Sequence, residues 1–208
     1  MSHFIADLDE YFCEKYASYD KISILPDYKM PLMQGSKIDE FGRTITYTLP
    51  SENLRLAKQE KKDKLLAELK TRLTDLTFSF SFQPIGGFTR LKNRFSKYAF
   101  YKNLKKVLEK YDFTDADALE TLDISEEIWK GIRKNKFLPT KNLLLSLALA
   151  AHLSFEDTTA LCNLCGYEFD FAVVKDVVIA YLLQNRVYNR AMVEEALKEY
   201  SVANLFLK

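Results

Sequence analysis

Two histidines among 208 residues are too few for an imidazole relay or a histidine-rich metal cage. No serine or cysteine stands beside a plausible base in any motif, so no catalytic residue is assigned and no enzyme is expected. Carboxylate pairs such as Glu126-Glu127 and Glu194-Glu195 are neighbours in sequence, and positions i and i+1 of a helix point in different directions. Glycine is scarce, at six residues. The single pair, Gly86-Gly87, has no third glycine at a useful spacing and no following Lys-Ser/Thr, so it reads as a linker and not as a phosphate loop. Cysteine is scarce too, and its number, three, is odd. With no signal-peptide pattern, the expected compartment is a reducing cytoplasm. Cys162-x-x-Cys165 lacks the second cysteine pair that a structural zinc needs. The other candidates, Cys13, His152 and His3, do not supply one, so both cysteines read as small core hydrophobes and no metal or cofactor is expected. The longest apolar run, Leu143 to Leu153, is interrupted by Ser146 and His152. It falls well short of the roughly 20 residues that cross a bilayer, and no membrane partner is expected.

What is present points to a packed, mainly α-helical chain. Hydrophobic residues make up 48% of it and aromatic residues 13%, enough for a core. The net charge of +1 conceals an uneven distribution. Residues 90–141 carry 13 basic and 8 acidic side chains, whereas 1–89 carry 12 and 13 and 142–208 carry 5 and 8. The middle of the chain is therefore positive, which favours a nucleic-acid partner.

Five short helical patterns follow one another between Tyr101 and Phe169, each with its own start signal. Leu104, Val107, Leu108 and Tyr111 form an i, i+3, i+4, i+7 stripe. Thr114 caps a second helix, with Asp117 in capping-box position and Ala118, Leu119 and Leu122 on the apolar side. Ser125 caps a third, which buries Ile128, Trp129 and Ile132. Pro139-Thr140 opens a fourth, and Ser154 with Asp157 opens a fifth. Caps a dozen residues apart, Thr114 and Ser125, mean two short helices joined by a tight turn. The rhythm T-D-A-D-A-L, then L-D-I-S, then I-W-K-G-I-R-K-N-K-F-L-P resembles the five-helix phage-repressor (XRE-type) helix-turn-helix domain. The continuation from Gly166 to Phe206 is similar to a tail that follows such domains in some bacterial proteins, including ones with an upstream macrodomain. The resemblance covers residues 97–207, and its N-terminal complement is not recognised. It implies a repressor-like core with a C-terminal helical extension.

It also implies contacts. The third helix of such a domain enters the major groove, so Ser125, Glu126, Glu127 and Lys130 are placed at base edges, and Arg133, Lys134, Lys136, Lys141 and Asn142 near phosphates. Two glutamates stand where the family usually presents Gln, Ser, Thr, Arg or Asn, and Asp115 stands where a glutamine is common. Two functions follow. A DNA-binding regulator of double-stranded DNA is slightly favoured by the fold. The alternative is an adaptor or inhibitor that keeps the scaffold, no longer reads DNA, and meets a protein partner through its N-terminal region.

The rest of the chain divides at about residue 89. In 1–89 a helix is expected over His3 to Ala17, with an acidic face (Asp7, Asp9, Glu10, Glu14) that repels anionic lipid and leaves packing as its role. Thr44 to Leu49 alternates as a strand, and Ser51 opens a long helix to about Leu76. Phe78, Phe80 and Phe82 form one aromatic face, read as core in preference to a base-stacking platform. Together with the Thr44–Leu49 strand it is expected to make a two-stranded ribbon, giving a small α+β region. In 90–208, residues 88–110 read as one basic helix whose aromatics (Phe88, Phe95, Tyr98, Phe100, Tyr101) form a core stripe. Phe171 to Leu207 reads as two more helices that either complete the core or form a homodimer surface.

Overall fold

A computed structural model describes residues 3–17, 34–38, 42–48, 59–73, 82–97, 99–203 and 205–208. Its elements in chain order are α1 (His3–Lys15), β1 (Gln34–Ile38), β2 (Thr44–Thr48), α2 (Gln59–Arg72), β3 (Gln83–Pro84), α3 (Gly87–Phe95), α4 (Phe100–Lys110), α5 (Asp115–Thr121), α6 (Glu126–Arg133), β4 (Phe137–Leu138), α7 (Lys141–Ala150), α8 (Phe155–Leu164), α9 (Val174–Gln184) and α10 (Arg190–Glu199). The chain is mainly helical.

Helix starts follow the side chains that satisfy orphan N–H groups. Thr114, Ser125, Thr140, Ser154 and Asn189 each accept from a backbone N–H three residues on, and Thr114 with Asp117 closes a full capping box. Hydrogen bonds from the Thr114 side chain, then from its backbone, hold the Asp117 carboxyl below its ordinary range. Helix ends are less ordinary. Asp112, Asn135, His152, Arg186 and Ser201 take left-handed φ of 50–57°, where a glycine is usual, and Gly166 alone among the closing residues is a glycine. At Asn135 the geometry is a Schellman turn: Lys136 N–H bonds Gly131 O (2.7 Å) and Asn135 N–H bonds Ile132 O (3.0 Å).

Packing is continuous. α4 lies on α6 and α8, α5 on α6 and α7, and α9 on α1, α7, α8 and α10. Every residue of α9 from Lys175 to Leu183 is buried. Its apolar side therefore completes the core, and no homodimer is needed to cover it. Residues 205–208 dock as well: Asp123 N–H bonds Phe206 O (2.9 Å), Phe206 N–H bonds Ser146 Oγ (2.8 Å), and Leu122 bridges Leu207.

The boundary near residue 89 does not interrupt this core. Ile5, Leu8, Phe12 and Cys13 of α1 with Tyr16 just beyond it, and Leu66 and Leu69 of α2 with Leu73 just beyond it, belong to the same hydrophobic cluster as Trp129 and Leu182. Tyr11 Oη donates to Gln184 Oε1 (3.0 Å), and the rings of Phe4 and Tyr11 tilt against Tyr181. On α2, Glu68 and Arg72 pair at i, i+4 spacing, 3.0 Å apart. The start of that helix at Ser51 lies outside the described residues.

β2 pairs antiparallel with β1, Thr44 opposite Ile38 and Thr48 opposite Gln34. Residues 78–81 lie outside the described residues. Phe82 precedes the two-residue β3 and tilts against Phe206, while β3 pairs with β4. The basic stretch 88–110 forms two helices, α3 ending at Phe95 and α4 starting at Phe100. Phe100 is buried, but Phe88 and Phe95 are 83% and 85% exposed, so these two aromatics are not core.

Gly131 lies where helix α6 meets Phe137. A Cβ there would sit 2.2 Å from Phe137 Cδ2 and 2.3 Å from Cε2. Gly→Ala in a helix ordinarily gains about 1 kcal/mol, whereas overpacking costs about 1–3 kcal/mol. β4 is tethered by its pairing with β3, so the ring has little room to retreat, and Gly131→Ala should lose about 1–2 kcal/mol in a urea titration. A Gly131→Ala/Phe137→Ala pair should not show the overpacking loss added to that of Phe137→Ala. A single variant as stable as the parent would mean that the ring does not pack on this helix.

Candidate nucleic-acid interface

Ser125 closes the N-terminus of α6, its Oγ accepting from Ile128 N–H at 3.3 Å. The hydroxyl expected at a base edge is thus a cap. One turn later, Glu126 Oε1 pairs with Lys130 Nζ at 2.5 Å, both side chains about 60% exposed (61% and 59%). This i, i+4 pair leaves Lys130 facing solvent with its charge largely matched. Glu127 is exposed. The base-facing surface anticipated from the sequence does come together on one short helix, but its first turn is acidic.

The phosphate-facing set is dispersed. Arg133 Nε lies 3.0 Å from Asp115 Oδ1, close enough for an ion pair, although the N–H is not aligned for a hydrogen bond. The same Asp115 oxygen accepts from Trp129 Nε1 at 2.9 Å. Asp115 therefore joins the start of α5 to two successive turns of α6. No sequence pattern announces this, because the partners are 14 and 18 residues away and only the turn brings them together.

Lys141 is likewise engaged. Its Nζ forms an ion pair with Asp176 Oδ2 and donates to Glu168 O (2.6 Å). Asp176 is 1% exposed. Burial pushes its carboxyl up from the ordinary aspartate range, opposed by the Asp170 backbone N–H and by Lys141. Asn142, at 4% exposure, is buried and accepts from Lys175 Nζ at 3.3 Å. As placed, Asn142 and Lys141 form an interhelical joint between α7 and α9. The signal was present in the sequence: Lys175-Asp176 interrupts an otherwise apolar helix, and charged residues buried there need partners.

Lys134 and Lys136 remain. Both are exposed, and among the described residues neither side chain forms an ion pair. They stand at the exit of α6, where Ile85 N–H bonds Lys136 O (2.7 Å) and Asn93 Nδ2 donates to Asn135 Oδ1 (3.1 Å). This end of the surface is basic and the opposite end, with Asp115, Asp117, Glu126 and Glu127, is acidic.

No family model, curated protein or solved structure matches the chain.

The remaining sequence candidates are also placed. Cys162 is buried and Cys165 half-buried on α8, and burial pushes both thiols up to about 12, which keeps them protonated and weakly nucleophilic near neutrality. His152 closes α7 with its ring stacked 4.7 Å from Tyr188. Among the described residues no three His, Cys, Asp or Glu side chains gather around a common point. No helix among them is long and apolar enough to cross a membrane.

Proposed function

We propose that this chain is a non-enzymatic interaction protein, built on a repressor-like helix-turn-helix scaffold (α4–α8) that does not read DNA. One observation carries the reading. The surface that would face the groove offers little free positive charge: Glu127 stands outward, Lys130 is matched by Glu126, and Arg133 and Lys141, two further cations, are tied to Asp115 and Asp176. Duplex DNA presents one negative charge per about 1.7 Å of axis, so carboxylates at the groove-entering end oppose approach, and cations held in internal pairs release few counterions. Cap chemistry, apolar spacing and the turn between α5 and α6 support the scaffold part of the proposal.

The alternative, a DNA-binding regulator, draws on Lys134 and Lys136 standing exposed beside the basic α3. The two readings separate in one measurement. The full chain titrated with random-sequence duplex of about 20 base pairs should show no binding near 150 mM salt and at most weak binding at low salt. Tight binding at 150 mM would overturn the scaffold reading. In that event Lys134→Glu or Lys136→Glu should reduce the log-log salt slope by about 0.9 each, while Asn142→Ala should not alter it.

A further inference from the structure

α3 is turned inside out. Its side toward the protein is polar: Asn93 bonds Asn135, and the half-buried Arg90 has its Nε enclosed, with no hydrogen-bond partner among the described residues. Its side toward water is apolar, with Phe88 at 83%, Leu91 at 53% and Phe95 at 85% exposure, and no residue of the helix is buried. Positions i, i+3 and i+7 fall on one stripe of an α-helix, and the same geometry places Lys92 beside Phe88 and Arg94 beside Leu91, one cation on each flank. Exposed large apolar side chains scattered singly need no explanation, but a contiguous ridge of three marks a contact surface.

The helix is also tied near both ends. β3 before it pairs with β4, Ile85 N–H bonds Lys136 O, and Lys102 Nζ donates to Arg94 O (2.6 Å).

Charge identifies the occupant. From Phe82 to Leu108 the sequence holds seven Lys or Arg and no Asp or Glu. A second copy would bring like charge against like, which excludes pairing through this face. Nucleic acid would meet the cations and the rings of Phe88 and Phe95, but Leu91 between them offers no ring, so successive bases find no continuous stacking platform. An i, i+3, i+7 anchor series is how one helix is read by a groove on another protein. We propose that α3 is the partner-binding element of this chain, seating Phe88, Leu91 and Phe95 in an apolar groove rimmed by carboxylates on another protein. The inference rests on the interaction-scaffold reading and specifies its contact surface.

A random-peptide display library selected on the full-length chain tests it. The parent should enrich peptides that combine apolar residues with Asp or Glu. A synthetic peptide of the enriched sequence should then lose about tenfold or more in affinity for Leu91→Glu and for Phe88→Ser/Phe95→Ser, as expected for anchors at the centre of an interface. Lys92→Glu/Arg94→Glu should weaken binding and flatten its salt dependence. The melting temperatures of these variants should match the parent, because the ridge is exposed. Four outcomes overturn the proposal: no enrichment; enrichment that Leu91→Glu leaves intact; a melting temperature lowered by several degrees in Leu91→Glu, which would mean that the chain covers its own ridge; or binding to phosphatidylcholine vesicles with roughly 30% phosphatidylserine that Leu91→Glu abolishes, which would make α3 a lipid contact. Duplex binding that survives Leu91→Glu would overturn the scaffold reading and leave the selection result to decide α3 independently.

Discussion

Trp129→Ala is expected to destabilise the chain by about 3–5 kcal/mol, the range for removing a large buried ring from a core. Trp129 is 1% exposed and sits on α6, which packs on α4 and α5. Its Nε1 donates to Asp115 Oδ1 at 2.9 Å, so truncation removes both the ring and the bond that ties α5 to α6. For a chain of this length the shift in melting temperature is roughly 6–20 °C. Trp129→Phe isolates the polar part. It keeps most of the volume and deletes the donor, and the Asp115 carboxylate, itself 60% exposed, can turn to water or to Arg133. That variant should lose much less, on the order of 1–2 kcal/mol. A Trp129→Ala protein that melts with the parent would mean that α5 and α6 do not share this core.

The second large effect is expected at Lys70. Its side chain, 9% exposed, lies in α2 between Asp9 of the N-terminal helix and Glu199 of α10, with Nζ at 2.7 Å from Asp9 Oδ1 and 2.6 Å from Glu199 Oε1. Tyr200 donates to the same Asp9 oxygen at 2.6 Å, and the ammonium lies 4.6 Å from the Tyr200 ring centroid. Burial, then the negative charge of Asp9, pushes the Tyr200 hydroxyl well above the ordinary tyrosine range, so it remains a donor at any pH of interest. Removing the cation leaves two neighbouring carboxylates, one of them little exposed. Breaking a buried pair from one side costs about 3–5 kcal/mol, and the partial exposure of Glu199 places Lys70→Ala near the lower figure. A guanidinium titration measures it. Lys70→Met/Asp9→Leu should recover part of the loss by replacing the pair with apolar contact. If Lys70→Ala unfolds at the parent's denaturant midpoint, the docking of α1 and α2 on α10 does not contribute as described.

The helix starts were legible because the chemistry that makes them is local. An oxygen on Thr114, Ser125, Thr140, Ser154 or Asn189 reaches an N–H three residues away, and apolar spacing then defines which side is buried. Helix ends were not legible in the same way. Five of them close on left-handed Asp, Asn, His, Arg or Ser, so the glycine that would mark the stop is missing. The strand at Thr44 was legible from its alternation, but its partner was not, because several segments could pair with it and register is a tertiary choice.

The candidate site divides along the same line. Sequence alone determined that the chain is mainly helical, that short capped helices follow one another around Trp129, and that charge concentrates in its middle. It could not determine which charges are available, since that depends on partners far along the chain. Arg133 meets an aspartate 18 residues away, Lys141 one 35 residues away, and Asn142 a lysine 33 residues away. Nor could it determine which side of an amphipathic helix faces inward. The residues from Gly87 to Phe95 carry an apolar stripe that periodicity assigns to a core. Tertiary structure reversed the assignment, because β3–β4 pairing and the Asn93–Asn135 bond hold the polar side against the body and leave Phe88, Leu91 and Phe95 in water. Periodicity reports that a helix has two faces. Only the packing of the other elements decides which of the two is left over.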